Sequence, residues 1–76
     1  MIWTPDNIKA LREHVGMSRE DFAGRLHVSY WSVVNWETMR AMPDRRSRTA
    51  LRKLHSDAGN PDLDKLVAAS SGGEVD

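Results

Sequence analysis

The sequence predicts an all-α domain, a compact bundle of four to five short helices. Three observations predict it: hydroxyl and carboxylate caps recur along the chain, apolar residues at helical spacing follow each, and cysteine is absent. Without disulfides or thiolate metal sites, a 76-residue chain with a small core depends on helix packing and caps for its stability, with dimerisation a further source open to it.

The first helix starts at Thr4-Pro5-Asp6, where a hydroxyl cap precedes a proline at the first helical position and an acid near the positive end of the dipole. Ile8, Leu11 and Val15 form its apolar stripe, and Gly16 ends it as a left-handed cap. Trp3, just before the cap, is placed to staple the entering chain. Ser18 caps a second helix with Glu20 and Asp21 in its first turn and Phe22, Ala23 and Leu26 on its buried face. His27-Val28 is a turn. Ser29 caps a third helix, Tyr30 to about Thr38, whose inward residues are Val33 and Trp36.

Met39 to Pro43 breaks the pattern, and Asp44 caps a fourth helix that turns Ala50, Leu51 and Leu54 inward and Arg45, Arg46, Arg48 and Arg52 outward. Gly59-Asn60-Pro61 is a stop. Leu63, Leu66 and Val67 lie at i, i+3 and i+4 of a short fifth helix, and the Ser-Ser-Gly-Gly run beyond Ala69 reads as disordered. The chain thus divides into a helical domain over 1–58, a short helix within 59–69 and an acidic tail over 70–76. The stripe of the fifth helix serves either packing on the domain or contact with a second copy.

The formal net charge is zero, but it is unevenly spread. Residues 1–55 carry ten Lys/Arg against six acids, whereas residues 56–76 carry five acids against Lys65. A basic body is joined to an acidic end, and the basic body suits a polyanionic partner. No apolar run approaches the roughly 18 residues that span a bilayer, and the N-terminus lacks a signal pattern, so a soluble cytoplasmic protein without a membrane partner is expected. His14, His27 and His55 have neither metal-site nor triad spacing. With no phosphate-cradling glycine loop and no nucleophile-base pair, neither enzyme activity nor a metal, cofactor or small-molecule ligand is expected.

Two short serine-capped helices separated by a tight turn form a helix-turn-helix, whose second helix stands proud of its scaffold. Over residues 18–37 the chain reads SREDFAGRLHVSYWSVVNWE. This closely resembles the Cro/C1 (XRE-type) family of phage repressors and related regulators, with Ser18, Phe22-Ala23, Leu26, Val28-Ser29, Val33 and Trp36-Glu37 at the family spacing. The resemblance covers roughly residues 5–55. It implies a lambda-repressor-like fold, double-stranded DNA as partner through the major groove, a homodimer on an inverted repeat, and a repressor or autoregulator of the kind frequent in phages and mobile elements.

Burial of Val33 and Trp36 leaves 30, 31, 34 and 35 outward, and a Ser29-capped helix end offers N–H groups to phosphate. By position in the family motif, Tyr30, Trp31 and Asn35 look like base-edge readers, with Val34 able to touch a thymine methyl. An asparagine amide suits bidentate pairing with adenine. Ser18, Ser29, Ser32, Arg19, Arg40, Arg45 and Arg46 are candidate phosphate contacts, Arg19 standing where the family usually has glutamine. The resemblance also implies a structural ion pair between Arg12 and Glu37.

The chain departs from the family at His27, where glycine is common in the turn, and at Tyr30-Trp31, where polar or small residues are usual. That aromatic pair leaves packing on neighbouring surface and contact with a protein partner open. An antitoxin-like interaction module on the same fold is the alternative function.

Overall fold

A computed structural model describes residues 3–72, with side chains for 3–69. Five helices follow in order, α1 (Pro5–His14), α2 (Arg19–Leu26), α3 (Tyr30–Glu37), α4 (Arg45–Asp57) and α5 (Leu63–Gly72), with no strand among the described residues. The all-α class stands as expected.

Each of the first four helices starts on the cap read from the sequence. Thr4 Oγ1 accepts from Asn7 N, Ser18 Oγ from Asp21 N and Ser29 Oγ from Ser32 N, each at 3.1 Å, and Asp44 Oδ1 accepts from Ser47 N at 2.8 Å. Every such bond satisfies an N–H that the helix cannot pair itself, at a gain of about 1 kcal/mol for a typical cap. The fifth start was not foreseen: Asp62 Oδ1 accepts from Lys65 N at 3.1 Å.

The helix ends share one device. A residue with positive φ follows α1, α2, α3 and α4, namely Gly16 (70°), His27 (59°), Met39 (65°) and Gly59 (91°). In each case the next N–H reaches back five residues, as in Val28 N to Ala23 O at 3.0 Å and Arg40 N to Asn35 O at 2.9 Å. Gly16 accepts this left-handed backbone freely, whereas His27 and Met39 do so against the clash of their Cβ atoms.

One cluster forms the core. Trp3, Ile8, Leu11, Phe22, Ala23, Leu26, Val33, Trp36, Leu51, Leu54 and Leu63 are all buried together, so every helix contributes to it. Trp3 and Ile8 stand at the two positions of a hydrophobic staple around Thr4. Helix α2 packs on α3 and α4, and α1 packs on α3 and α5.

Of the two alternatives for the α5 stripe, Leu63, 2% exposed, and Leu66, packed against the core, take packing on the domain. The helix also continues through residues 70–72, where an irregular tail was expected. Extending a helix already nucleated and packed costs far less than starting one, and Ala68-Ala69 carry it onward. The rest of the expected tail, 73–76, lies outside the described residues. His55 packs locally: it is buried, its Nε2 donates to the Pro61 carbonyl at 2.7 Å, and its ring meets Trp3 edge-on at 6.1 Å.

Candidate nucleic-acid interface

Helix α3 has one dry side and one wet side. Val33 and Trp36 are 0% and 4% exposed, and they anchor it against the core. Residues three and four apart share a helix face, so Tyr30 and Trp31 line up with Val34 and Asn35. Tyr30 and Trp31 are exposed at 43% and 68%, while Val34 and Asn35 are half-buried. The Asn35 side chain makes no hydrogen bond among the described residues, and its amide is open to an external partner. The Asn35 carbonyl, in contrast, accepts from both Arg40 N and Ala41 N and folds the following loop onto the end of α3.

The angle of α3 is set from its last residue. The Glu37 side chain is 1% exposed and meets Arg12 of α1 through two bonds, Nε to Oε2 at 2.8 Å and Nη2 to Oε1 at 3.1 Å. Arg12 Nη1 also donates to the Met17 carbonyl at 3.1 Å, so one guanidinium ties α1, the α1–α2 loop and α3. The hydrogen bonds that Arg12 donates to Glu37 raise its pKa above the ordinary value, partly offset by burial. Such a forked pair fixes direction as well as distance.

Arg19 sits differently from the expectation of a simple phosphate contact. Its Nε donates to Glu37 Oε1 at 3.2 Å, making Glu37 the shared acceptor of two arginines. A carboxylate carries one negative charge, and two guanidiniums leave this cluster net positive. The Arg19 side chain is 38% exposed, so its terminal nitrogens still face solvent. Nearby Ser18 is exposed, but Glu20 and Asp21 in the same turn make the start of α2 electrically mixed.

The starts of α3 and α4 are different. Neither has an acid in its first turn, while α1 has Asp6 and α2 has Glu20 and Asp21. At α4 the first two helical residues are Arg45 and Arg46, cations at the positive end of the dipole, where charge of that sign costs about 0.3–1 kcal/mol each. Both are exposed, as is Arg40. The Asp44 carboxylate that caps this turn offsets part of the cost, and a further anion in front of the two exposed arginines would add attraction. Ser29 and Ser32 at the start of α3 are engaged with each other, their hydroxyls 2.9 Å apart. Ser29 remains exposed and Ser32 half-buried.

A helix-turn-helix family profile matches residues 8–46, just over half of the chain. The chain belongs to the Cro/C1-type (XRE) helix-turn-helix family, whose members are DNA-binding domains. The family match runs from Ile8 of α1 to Arg46 in the first turn of α4 and stops before α5. Antitoxin HigA-2 of Vibrio cholerae serotype O1 (strain ATCC 39315 / El Tor Inaba N16961) is 41% identical over 49 residues, covering 64% of this chain and 47% of the antitoxin. The chain therefore spans about half the length of the curated relative it matches. No solved structure matches it significantly.

Within this helix-turn-helix frame, the sequence did not reveal several parts of the site. Arg48 Nη1 donates to the Pro43 carbonyl at 3.0 Å and, with Pro43 buried, pins the loop that leads to Arg45 and Arg46. Nothing in the spacing announced that bond. Met39 and Met42 are 80% and 66% exposed beside Arg40, and a broken apolar pattern was the sole sequence signal for them. Among the described residues no cluster of His, Asp and Glu could hold a metal ion, and no helix is long and apolar enough to cross a membrane.

Proposed function

We propose that this chain is a sequence-specific DNA-binding transcriptional regulator, a repressor or autoregulator that lays α3 in the major groove. The observation that carries the reading is the two-sidedness of α3, with Val33 and Trp36 in the core, Tyr30, Trp31, Val34 and Asn35 outward, and Glu37 locked to Arg12 behind them. In this reading Asn35 pairs with an adenine edge, while Arg40, Arg45, Arg46 and the starts of α2 and α3 at Ser18, Arg19, Ser29 and Ser32 meet phosphates. The role is binding, without catalysis, in the cytoplasm.

One such module buries a modest area on DNA, so regulation calls for a homodimer on two half-sites of an inverted repeat. The experiment is selection of duplexes from a randomised pool, followed by titration of the selected duplex and of the DNA upstream of the coding sequence across a salt series. Enrichment of an inverted repeat bound with a steep salt slope is the expected result. No enrichment and no salt-sensitive binding would remove the reading.

A second reading, an antitoxin-like module, is favoured by the identity with Antitoxin HigA-2. It requires a stable complex with the product of an adjacent gene, and co-expression of the two chains followed by co-purification tests it. The two roles are compatible, since one face can hold DNA while another holds a protein.

A further inference from the structure

The groove-facing surface of α3 is mostly carbon. Tyr30 and Trp31 occupy its first turn, directly after the Ser29 cap, and Val34 lies one turn on from both. The two rings meet edge to face, centroids 5.4 Å apart and planes at 78°, within the range in which aromatic pairs attract. Each ring is thereby restrained while remaining exposed, so less freedom is lost when either meets a ligand. The indole makes no hydrogen bond among the described residues, and the nearby Ser32 hydroxyl is engaged with Ser29. Asn35 is the one amide this face presents.

In the major groove, apolar side chains have one specific target, the C5-methyl group of a pyrimidine. Thymine carries it and unmodified cytosine does not. Exposed arginines at 40, 45 and 46 on the loop and the helix that follow α3 suit a polyanion rather than an acid-poor protein groove. We propose that Tyr30 and Trp31 are a specificity-determining pair that reads pyrimidine C5-methyl groups, so that the selected DNA carries thymine where the first turn of α3 enters the groove and accepts 5-methylcytosine in its place. The proposal rests on the DNA-binding reading above. It deepens that reading by moving much of the discrimination from hydrogen bonds to methyl contacts.

The test uses the full chain and a duplex selected from a randomised pool, resynthesised with single thymines replaced by uracil. Uracil keeps Watson–Crick pairing and the O4 acceptor and removes only the methyl. Affinity is expected to fall about fourfold for each contacted methyl, the transfer value of one buried carbon group. Replacing the same thymine·adenine pair by 5-methylcytosine·guanine should retain more affinity than cytosine·guanine. In Trp31→Ala and Tyr30→Ala, both on the surface and checked for native helicity, the uracil penalty should shrink towards nothing. Equal binding of thymine and uracil duplexes, or an undiminished penalty in both variants, would overturn the methyl-reading proposal while leaving DNA binding standing. Intact affinity and sequence choice in both variants would do the same. Failure of the pool to yield any bound duplex would instead remove the DNA reading and this proposal with it.

Discussion

Glu37, the last residue of α3, is held by Arg12 of α1 through two parallel hydrogen bonds of 2.8 and 3.1 Å, with its side chain 1% exposed. A helix of eight residues has too little contact to fix its own direction, and this pair supplies a second attachment beyond Val33 and Trp36. The direction in which α3 presents Asn35 and Trp31 depends on it. Glu37→Gln leaves Arg12, 13% exposed, without its carboxylate. We expect a loss of about 3–5 kcal/mol in urea unfolding, the range for stranding one partner of a buried pair. Arg12→Met with Glu37→Leu should cost less than the two single changes together, because the buried pair is then removed whole and only the part-exposed Arg19 loses a partner.

The positive-φ caps at His27 and Met39 carry strain that glycine would not. Both side chains are exposed, so little packing is lost on truncation. His27→Gly and Met39→Gly should each stabilise the fold by about 1 kcal/mol, read from the thermal midpoint. A fall in midpoint would mean that these side chains make contacts that outweigh their backbone strain.

Asp44 supplies the pH dependence. Its carboxylate accepts from Ser47 N, and this bond holds its pKa below the ordinary aspartate value. A group with a depressed folded pKa stabilises the fold above its unfolded pKa, about 3.9 for aspartate, and loses that contribution as pH falls through the folded value. Asp44→Asn keeps a good cap and should remove this component of acid destabilisation. Asp44→Ala should lower stability at neutral pH. Denaturation midpoints at several pH values distinguish the two.

Asn35 and Arg46 should fail in different ways. If Asn35 pairs with a base edge as proposed, Asn35→Ala should lower affinity for the selected duplex by about 1–3 kcal/mol while non-specific binding stays level. Arg46→Ala, at a proposed phosphate contact, should weaken all sequences alike and reduce the salt slope by about one. Titrations of both variants on selected and scrambled duplexes check the contrast.

The legible parts of this fold are those set by neighbours in the chain. Thr4, Ser18, Ser29 and Asp44 cap through bonds to the third residue on, and Val33 with Trp36 follow from helical period, so these parts were open to inspection. Arg12 and Glu37 are separated by 25 residues, and resemblance rather than spacing joined them. Arg19 was harder still, because its attraction to Glu37 exists only once α1, α2 and α3 have packed. Met39 gave no sign of a left-handed cap, since that conformation is ordinarily marked by glycine or asparagine. At α5 the stripe was visible and its side of the bargain was not: period identifies a face, and packing decides what covers it.

The most direct test is an amide-shift map of the nitrogen-15-labelled chain titrated with its selected duplex. The largest changes are predicted along Ser29 to Asn35, with a second group from Arg40 to Arg46, and small changes across α5. Large shifts confined to α5 or the outer side of α1, with Trp31 and Asn35 undisturbed, would contradict the assignment of α3 as the helix that meets DNA.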